Sequence, residues 1–254
     1  MVELKSPSEI EIMREAGRVV AAALAATAAA AHEGVTLSAL DELAAQVIAS
    51  HGAKPSFLGY HPSWAPTPFP GVVCLSVNNA IVHGIPDGTK LRHGDVLSID
   101  CGASVDGYHG DAAITVAIGQ TDASGERLME TTRLALAAGI AQARPGNRIG
   151  DISFAIETVA RQAGYGLAFG MGGHGIGTQM HQDPDVPNTG RPNRGFVLRE
   201  GLVLALEPML TEGGSDRNRT AMDGWTILTA DGKRAAHFEH TVAITSEGPL
   251  ILTS

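Results

Sequence analysis

The feature that most constrains the fold is a predicted hairpin over residues 94–117, with a carboxylate on each arm. The first arm, residues 95–101, is an apolar run that contains Asp100, and the second arm contains Asp111. Asp106 and Gly107 form a turn between the arms. An ionised carboxylate in a buried strand is unfavourable unless a partner or a metal ion compensates its charge. The two aspartates therefore predict a functional site on the sheet.

A second pair of apolar runs near the other end of the chain carries carboxylates in the same way. Residues 202–206 are apolar and end at Glu207, and residues 237–244 contain Glu239. We interpret this second pair, with a turn at Asp223 and Gly224 before its second arm, as another carboxylate hairpin. The four acids would then face each other across one sheet.

Each predicted hairpin follows a His-Gly-Ile tripeptide, which begins at His83 in the first half and at His174 in the second. This order indicates a degenerate internal repeat, with halves at roughly residues 1–120 and 121–254. The sequence predicts one catalytic domain over residues 1–254. Its fold class is α+β, with two pseudo-symmetric halves and helices packed on a mostly antiparallel sheet.

Local signals place the remaining elements. A capping box at Ser6 and Glu9 predicts a helix to about residue 31, and further helices are predicted from Ser38 to about 51, from 122 to 143 and from 151 to 164. Residues 72–77 and 225–229 are predicted strands. Residues 57–70, 182–194 and 212–220 are rich in Pro or polar residues and are predicted loops.

Charge and cysteine content narrow the class of protein. The formal net charge is -9, and no stripe of Lys and Arg is present, which argues against nucleic-acid binding. The acidity suits a site for metal ions or a substrate ammonium group. Cys74 and Cys101 are too few for a disulfide framework, so we expect a cytoplasmic protein. The alanine-rich residues 19–31 are too short to span a bilayer, and no membrane association is predicted.

Five side chains are the candidate metal ligands: Asp100, Asp111, His174, Glu207 and Glu239. Four carboxylates and one imidazole suit manganese, iron or cobalt more than a tetrahedral structural zinc site, although zinc remains a candidate. Two ions about 3.5–4 Å apart could activate a shared water at neutral pH. Glu207 could accept a proton from that water, and His83 and His181 could hydrogen-bond to a scissile amide and its developing oxyanion.

Each residue also has a simpler interpretation. Asp100 alone could be a turn or cap residue, and Glu207, which precedes Pro208, could merely end a strand. His109 and His237 are predicted to be structural or to lie behind the ligands. Gly-His-Gly-Ile-Gly lacks the lysine and the spacing of phosphate-binding loops. The repeated order of acids at the ends of apolar runs favours the metal site over these alternatives.

The ordered motifs resemble those of type I methionine aminopeptidases over about residues 10–245. The motifs are Cys74-Leu75-Ser76-Val77-Asn78, Val82-His83-Gly84-Ile85-Pro86, Ile99-Asp100-Cys101-Gly102, His109-Gly110-Asp111, Gly173-His174-Gly175-Ile176-Gly177, Met180-His181, Leu206-Glu207-Pro208-Met209, Asp223-Gly224-Trp225 and Phe238-Glu239-His240-Thr241. The resemblance implies the pita-bread fold, with its curved sheet, and removal of the initiator methionine from nascent polypeptides when the second residue is small.

The same resemblance implies roles for individual residues. The five candidate ligands would hold two divalent ions, with Asp111 and Glu239 bridging them, and His83 and His181 would contact the substrate. A methionine pocket is expected from Phe57, Tyr60, Phe69, Cys74, Met180 and Trp225, since a thioether favours aromatic contacts. We expect a monomer that acts on nascent chains, with the ribosome as a candidate partner.

The sequence departs from the family pattern in a few places. Residues 62–68 form an insertion after Gly59-Tyr60-His61, beside the expected methionine pocket. Asn79 and Gln182 stand where the family usually has acids. None of these positions is an expected metal ligand.

Three other functions are compatible with part of this pattern. A proline-specific aminopeptidase or dipeptidase would have the expected fold. Such enzymes lack the sequence context of the motif Val82-His83-Gly84-Ile85-Pro86. A binding module that has lost catalysis would have lost ligands, whereas all five are present. A dinuclear phosphoesterase would need a basic residue near the acids to hold phosphate, and the sequence shows none.

Overall fold

The computed structural model describes residues 2–254, and its helices follow the capping signals closely. The helices are α1 (Pro7–Ala30), α2 (Leu37–Ser50), α3 (Ala123–Gln142) and α4 (Ile149–Gln162). The Ser6 hydroxyl accepts a hydrogen bond from the backbone of Glu9, whose carboxylate accepts from the Ser6 N–H. This capping box confirms the predicted start of α1. Thr36, rather than Ser38, caps α2.

Fifteen strands complete the part of the chain that the structure describes. They are β1 (Lys54–Pro55), β2 (Val73–Val77), β3 (Ala80–Val82), β4 (Val96–Val105), β5 (Tyr108–Ala117), β6 (Gly166–Leu167), β7 (Gly172–Gly175), β8 (Gln182–Pro187), β9 (Val203–Leu206), β10 (Met209–Thr211), β11 (Asn218–Thr220), β12 (Ile227–Thr229), β13 (Ala235–His237), β14 (Glu239–Thr245) and β15 (Gly248–Ile251). Their pairings within sheets are antiparallel.

One large sheet carries the predicted acids. Its strands follow the order β1-β4-β5-β14-β9-β7-β8, with β2 beside β4 and β15 beside β14. Strands β4 and β5 form the predicted hairpin, and Asp106 and Gly107 at its turn both have positive φ, as a tight turn of this kind requires. Two smaller sheets, β13-β10-β6 and β11-β12-β3, flank it.

The second carboxylate hairpin differs from the prediction. Strands β9 and β14 do pair, with Leu206 opposite His240, but β10 to β13 lie between them along the chain. The turn at Asp223 and Gly224 instead lies between β11 and β12, which pair with each other. Strands β9 and β14 are therefore connected by the long segment that contains β10 to β13, rather than by a tight turn.

Two regions predicted as loops contain strands. Strand β8 lies within residues 182–194 and pairs with β7, and β11 lies within residues 212–220 and pairs with β12. Both strands are polar, and β8 contains Pro184 and Pro187, so their local signals favour a loop. Their hydrogen bonds come from neighbours that the local sequence does not reveal.

The apolar core is divided between the two helix pairs. Helices α1 and α2 pack with β2, β4 and β5 around residues such as Leu40, Leu97 and Ile99. Helices α3 and α4 pack with β9 and β14 around residues such as Ile152 and Leu204. None of the helices in residues 2–254 combines the length and hydropathy that crossing a membrane requires.

Candidate active site

Strand register brings three of the predicted acids onto one face of the large sheet. On β5, Ala113 lies opposite Asp100 of β4 on one side and opposite Glu239 of β14 on the other. Asp111 is two residues before Ala113, so its side chain points to the same face as that of Ala113. Side chains that are directly opposite on neighbouring strands lie about 4.5–5.5 Å apart at Cβ. The three carboxylates therefore converge by backbone geometry alone.

The second half supplies two further side chains to this face. His174 on β7 lies opposite Ala205 of β9. Glu207 is two residues after Ala205 and directly follows the end of β9. The Nε2 atom of His174 lies 3.6 Å from Oε1 of Glu207 and 4.0 Å from Oδ2 of Asp111. The structure thus brings together all five side chains that the sequence singled out as ligands.

A hydrogen bond fixes the tautomer of His174. Its Nδ1 lies 2.9 Å from the carbonyl oxygen of Gly175, and because a carbonyl oxygen can only accept, Nδ1 must donate. The lone pair of the neutral ring is then on Nε2, which faces the acids. Burial lowers the pKa of His174 to about 3, so the ring is neutral at pH 7. This arrangement is typical of a histidine that is a metal ligand.

Two overlapping groups of side chains have the spacing of a metal site. Asp111, His174 and Glu239 each offer a ligand atom within 4.8 Å of the others, and so do Asp100, His237 and Glu239. Glu239 belongs to both groups, which agrees with its expected position between two ions. His237 was predicted to be structural or to lie behind the ligands, and its Nε2 lies 3.5 Å from Glu239 Oε2 and 3.8 Å from Glu207 Oε2.

The acids carry charge that residues 2–254 do not compensate. Burial, together with the charge of Glu239, raises the pKa values of Asp100, Asp111 and Glu207, and burial raises that of Glu239. Within 4 Å, their basic partners in the described chain are His174 and His237, which burial keeps neutral. No Lys or Arg of this part forms an ion pair with them.

Three oxygens of the acids and one nitrogen of His237 also have no partner for a hydrogen bond within residues 2–254. These buried atoms are Asp100 Oδ1, Asp111 Oδ1, Glu239 Oε1 and His237 Nε2. Leaving such groups unsatisfied costs about 1–3 kcal/mol each, and more for charged groups. Divalent cations would satisfy the oxygens and stabilise the ionised carboxylates. The donor set therefore fits the metal ions that the sequence predicts.

The acids form the floor of a cavity of about 270 Å³ with largely apolar walls. Five of the six residues predicted for the methionine pocket line it, namely Phe57, Tyr60, Phe69, Cys74 and Trp225. Met180 does not line the cavity, which corrects its predicted position, and it packs in one apolar cluster with Phe57, Phe69 and Trp225. Trp64, from the inserted loop, lines the cavity although no role was predicted for it.

The two remaining predicted histidines also line the cavity. His181 stacks on Tyr60, with ring centroids 5.2 Å apart, and its ring centroid is 4.1 Å from that of His174. Burial lowers the pKa of His83 to about 4, and its Nδ1 is buried without a partner in the described chain. His83 has a φ of 58°, which is uncommon for a residue other than glycine. Such strain is often found at functional sites.

Comparison with known proteins gives consistent results. A model of metallopeptidase family M24 matches residues 11–246. The chain is 51% identical over 260 residues to methionine aminopeptidase 1 of Mycobacterium tuberculosis, covering 100% of this chain and 95% of that protein. It is 43% identical over 253 residues to methionine aminopeptidase 1 of Bacillus subtilis, covering 100% of this chain and 99% of that protein.

Solved structures agree with these sequence relatives. Methionine aminopeptidase from Thermotoga maritima superimposes with a TM-score of 0.95 at 41% identity, over 100% of both chains. A prolidase from Pyrococcus furiosus gives a TM-score of 0.80 at 21% identity, over 99% of this chain and 65% of that one, which shows a shared fold alone. The expected α+β pita-bread architecture is thus confirmed.

Proposed function

The chain belongs to metallopeptidase family M24, and we propose that it is a metal-dependent methionine aminopeptidase that removes the amino-terminal methionine of new polypeptides. The observation that supports this most strongly is the convergence of His174 and four acids, two buried and two half-buried, at an apolar cavity. The cavity joins a cation-binding floor to aromatic walls, which suit the thioether of methionine. We propose that the substrate's methionine side chain lies among Phe57, Phe69, Cys74 and Trp225.

The acids Asp100, Asp111, Glu207 and Glu239, with His174, would hold two divalent ions. Manganese, iron or cobalt fit this oxygen-rich set best, and zinc is a further candidate. When bound, the ions would supply Lewis acidity that polarises the scissile carbonyl and lowers the pKa of water. The number and identity of the ions are part of the proposal.

The chain's own residues would then carry the remaining steps. His83 and His181 line the cavity with neutral or weakly basic rings, and they would hydrogen-bond to the scissile amide and to the oxyanion. The carboxylate of Glu207 would accept a proton from the attacking water.

A preference for a small second residue also belongs to this proposal. Aromatic rings line the cavity, and among them the ring of Trp64 stacks on that of His83 with centroids 6.0 Å apart. A substrate with a bulky second residue would need these rings to move. We place this activity in the cytoplasm, on newly made chains and in a monomeric enzyme.

The assay that tests the proposal measures release of methionine from the peptide Met-Ala-Ser by protein supplied with manganese or cobalt. We expect turnover with metal and none after chelation. A parallel peptide with an X-Pro amino terminus tests the proline-specific alternative. Cleavage of the X-Pro peptide alone would replace the proposed function with that alternative.

The phosphoesterase alternative has less support. The side chains that line the cavity in residues 2–254 include no Lys or Arg. A phosphate monoester would therefore approach four acids without a positively charged side chain to hold it. A test with a generic phosphomonoester should show no metal-dependent release of phosphate.

A further inference from the structure

The inserted segment forms a closed loop over one side of the cavity. This Trp64 loop, residues 61–68, is closed at its base because Phe69 N–H donates to the Tyr60 carbonyl at 2.8 Å. The indole N–H of Trp225 donates to the carbonyl of Thr67 at 3.0 Å. Within the loop, Ala65 N–H donates to the carbonyl of Pro62 at 3.0 Å. These bonds hold the loop in a defined position.

The loop places Trp64 against a proposed substrate-contacting residue. The Trp64 ring stacks on His83, with centroids 6.0 Å apart and planes inclined by 21°. Its other neighbour is Trp225, whose ring lies edge-on at 5.0 Å. Trp64 is 57% exposed, whereas Trp225 and Phe69 are buried. Trp64 is therefore an outer wall of the cavity, at the mouth.

The position of Trp64 relative to the scissile bond follows from these contacts. On the function proposed above, the methionine side chain fills the buried part of the cavity and His83 reaches the scissile amide. The nitrogen of that amide belongs to the second residue of the substrate, and the rest of the polypeptide must continue toward solvent. An exposed ring stacked on His83 thus lies beside the second residue, not beside the methionine side chain.

We propose that Trp64 is a specificity-determining residue that limits the size of the second residue of the substrate. The hydrogen bond from Trp225 to Thr67 fixes the loop, and the contacts of the Trp64 ring with His83 and Trp225 keep it from moving aside when a bulky side chain arrives. Differences of a methylene or two in a rigid apolar site change specificity by about 10- to 200-fold. Removing the ring should therefore relax the preference without removing catalysis.

The test compares kcat/KM for Met-Ala-Ser and Met-Leu-Ser in the metal-loaded wild type, Trp64→Ala and Trp64→Phe. We expect Trp64→Ala to lower the preference for alanine over leucine by about tenfold, because the wall is gone. Trp64→Phe keeps a ring and should retain most of the preference. Inhibition by free methionine should be unchanged in both variants, since methionine has no second residue.

Leu58→Ala is the matched control. Leu58 is 54% exposed and close in sequence, but it does not line the cavity, so its truncation should leave the preference as in the wild type. An unchanged preference in Trp64→Ala, or weaker inhibition by free methionine, would overturn the inference about Trp64. A wild type that releases methionine from neither peptide would instead refute the proposed function.

Discussion

At the scale of residues, Asp111 shows why the acids of the centre need cations. Its carboxylate is buried, its Oδ1 has no hydrogen-bond partner in residues 2–254, and burial with the charges of Glu239 and Asp100 raises its pKa. Burial and the neighbouring charges therefore favour the neutral form of Asp111 over the ionised form. Its ionised form is stabilised only when a cation lies within reach.

We therefore expect Asp111→Asn to remove activity. The amide keeps the shape of the side chain but not its charge, and a loss of several kcal/mol of charge stabilisation lowers kcat/KM at least about a thousandfold. Metal content after dialysis should fall with it. Asp106→Asn is the control, because Asp106 is an exposed acid of the same hairpin and asparagine tolerates its φ of 49°. Full turnover by Asp111→Asn would contradict the proposed mechanism.

His83 makes a different contribution, which a second substitution can separate. His83→Asn suits the left-handed backbone at this position but cannot reproduce the imidazole contacts. We expect kcat to fall by about 10²- to 10³-fold, the effect of removing one donor to a developing oxyanion. Metal content should stay at the wild-type value. Loss of metal from this variant would show that His83 is a ligand.

The site was largely predictable at this scale, with two exceptions. The acids were found because each ends or interrupts an apolar run, which is a local signal. Trp64 lines the cavity and Met180 does not, and neither position could be derived from the spacing of the motifs. That His237 lies behind the ligands stays a prediction.

At the scale of elements, close contact between strands positions His174. Strand β7 runs between β8 and β9, and Gly173 lies next to His174 on it. A Cβ atom on Gly173 would lie 2.1 Å from the carbonyl oxygen of Ala205 on β9. Glycine at this position allows β7 to approach β9 closely enough for His174 to face Glu207.

Gly173→Ala tests this contact. The added methyl group would push β7 away from β9, and overpacking of this kind costs about 1–3 kcal/mol. We expect a lower melting temperature and weaker metal binding, measured by calorimetry. Gly88→Ala is the control, because a Cβ there meets no atom within 4 Å. Equal stability and metal affinity for the two variants would show that the close contact is not needed.

Elements with local signals were predicted well, and those that depend on pairing were not. The four helices and the hairpin of β4 and β5 have caps, turns and periodic apolar residues within a few positions. Strands β8 and β11 are polar and short, and they exist because β7 and β12 provide hydrogen-bond partners. Sequence alone does not reveal those partners.

At the scale of the whole molecule, the two halves contribute complementary parts of one centre. The first half provides Asp100 and Asp111 on β4 and β5, and the second provides Glu207, Glu239 and His174. The order of a helix pair followed by acid-bearing strands occurs in both halves. The single catalytic domain and the internal repeat remain predictions from the sequence.

The free energy of unfolding of the metal-free protein should fall as pH rises. Burial raises the pKa of Asp100 to about 7 and that of Glu239 to about 8, so the folded chain holds protons that the unfolded chain has lost. Stability then falls as pH rises through these values. The buried histidines have lowered pKa values, and in the unfolded chain they lose their protons around pH 6.5, so above about pH 7.5 they are neutral in both states and do not offset this loss.

The corresponding measurement is the melting temperature of the metal-free protein from about pH 7.5 to about pH 8.5, where we expect a decrease. Manganese should raise the melting temperature, and more so at the higher pH, because metal binding requires ionised carboxylates. A metal-free protein that becomes more stable over this interval would contradict the assignment of these acids.

The most direct test of the central claim is an anomalous difference map at the manganese edge, from crystals of the protein grown with manganese. We predict two peaks, about 3.5–4 Å apart, within bonding distance of Asp100, Asp111, His174, Glu207 and Glu239. Peaks elsewhere, or no peak among these side chains, would contradict the account.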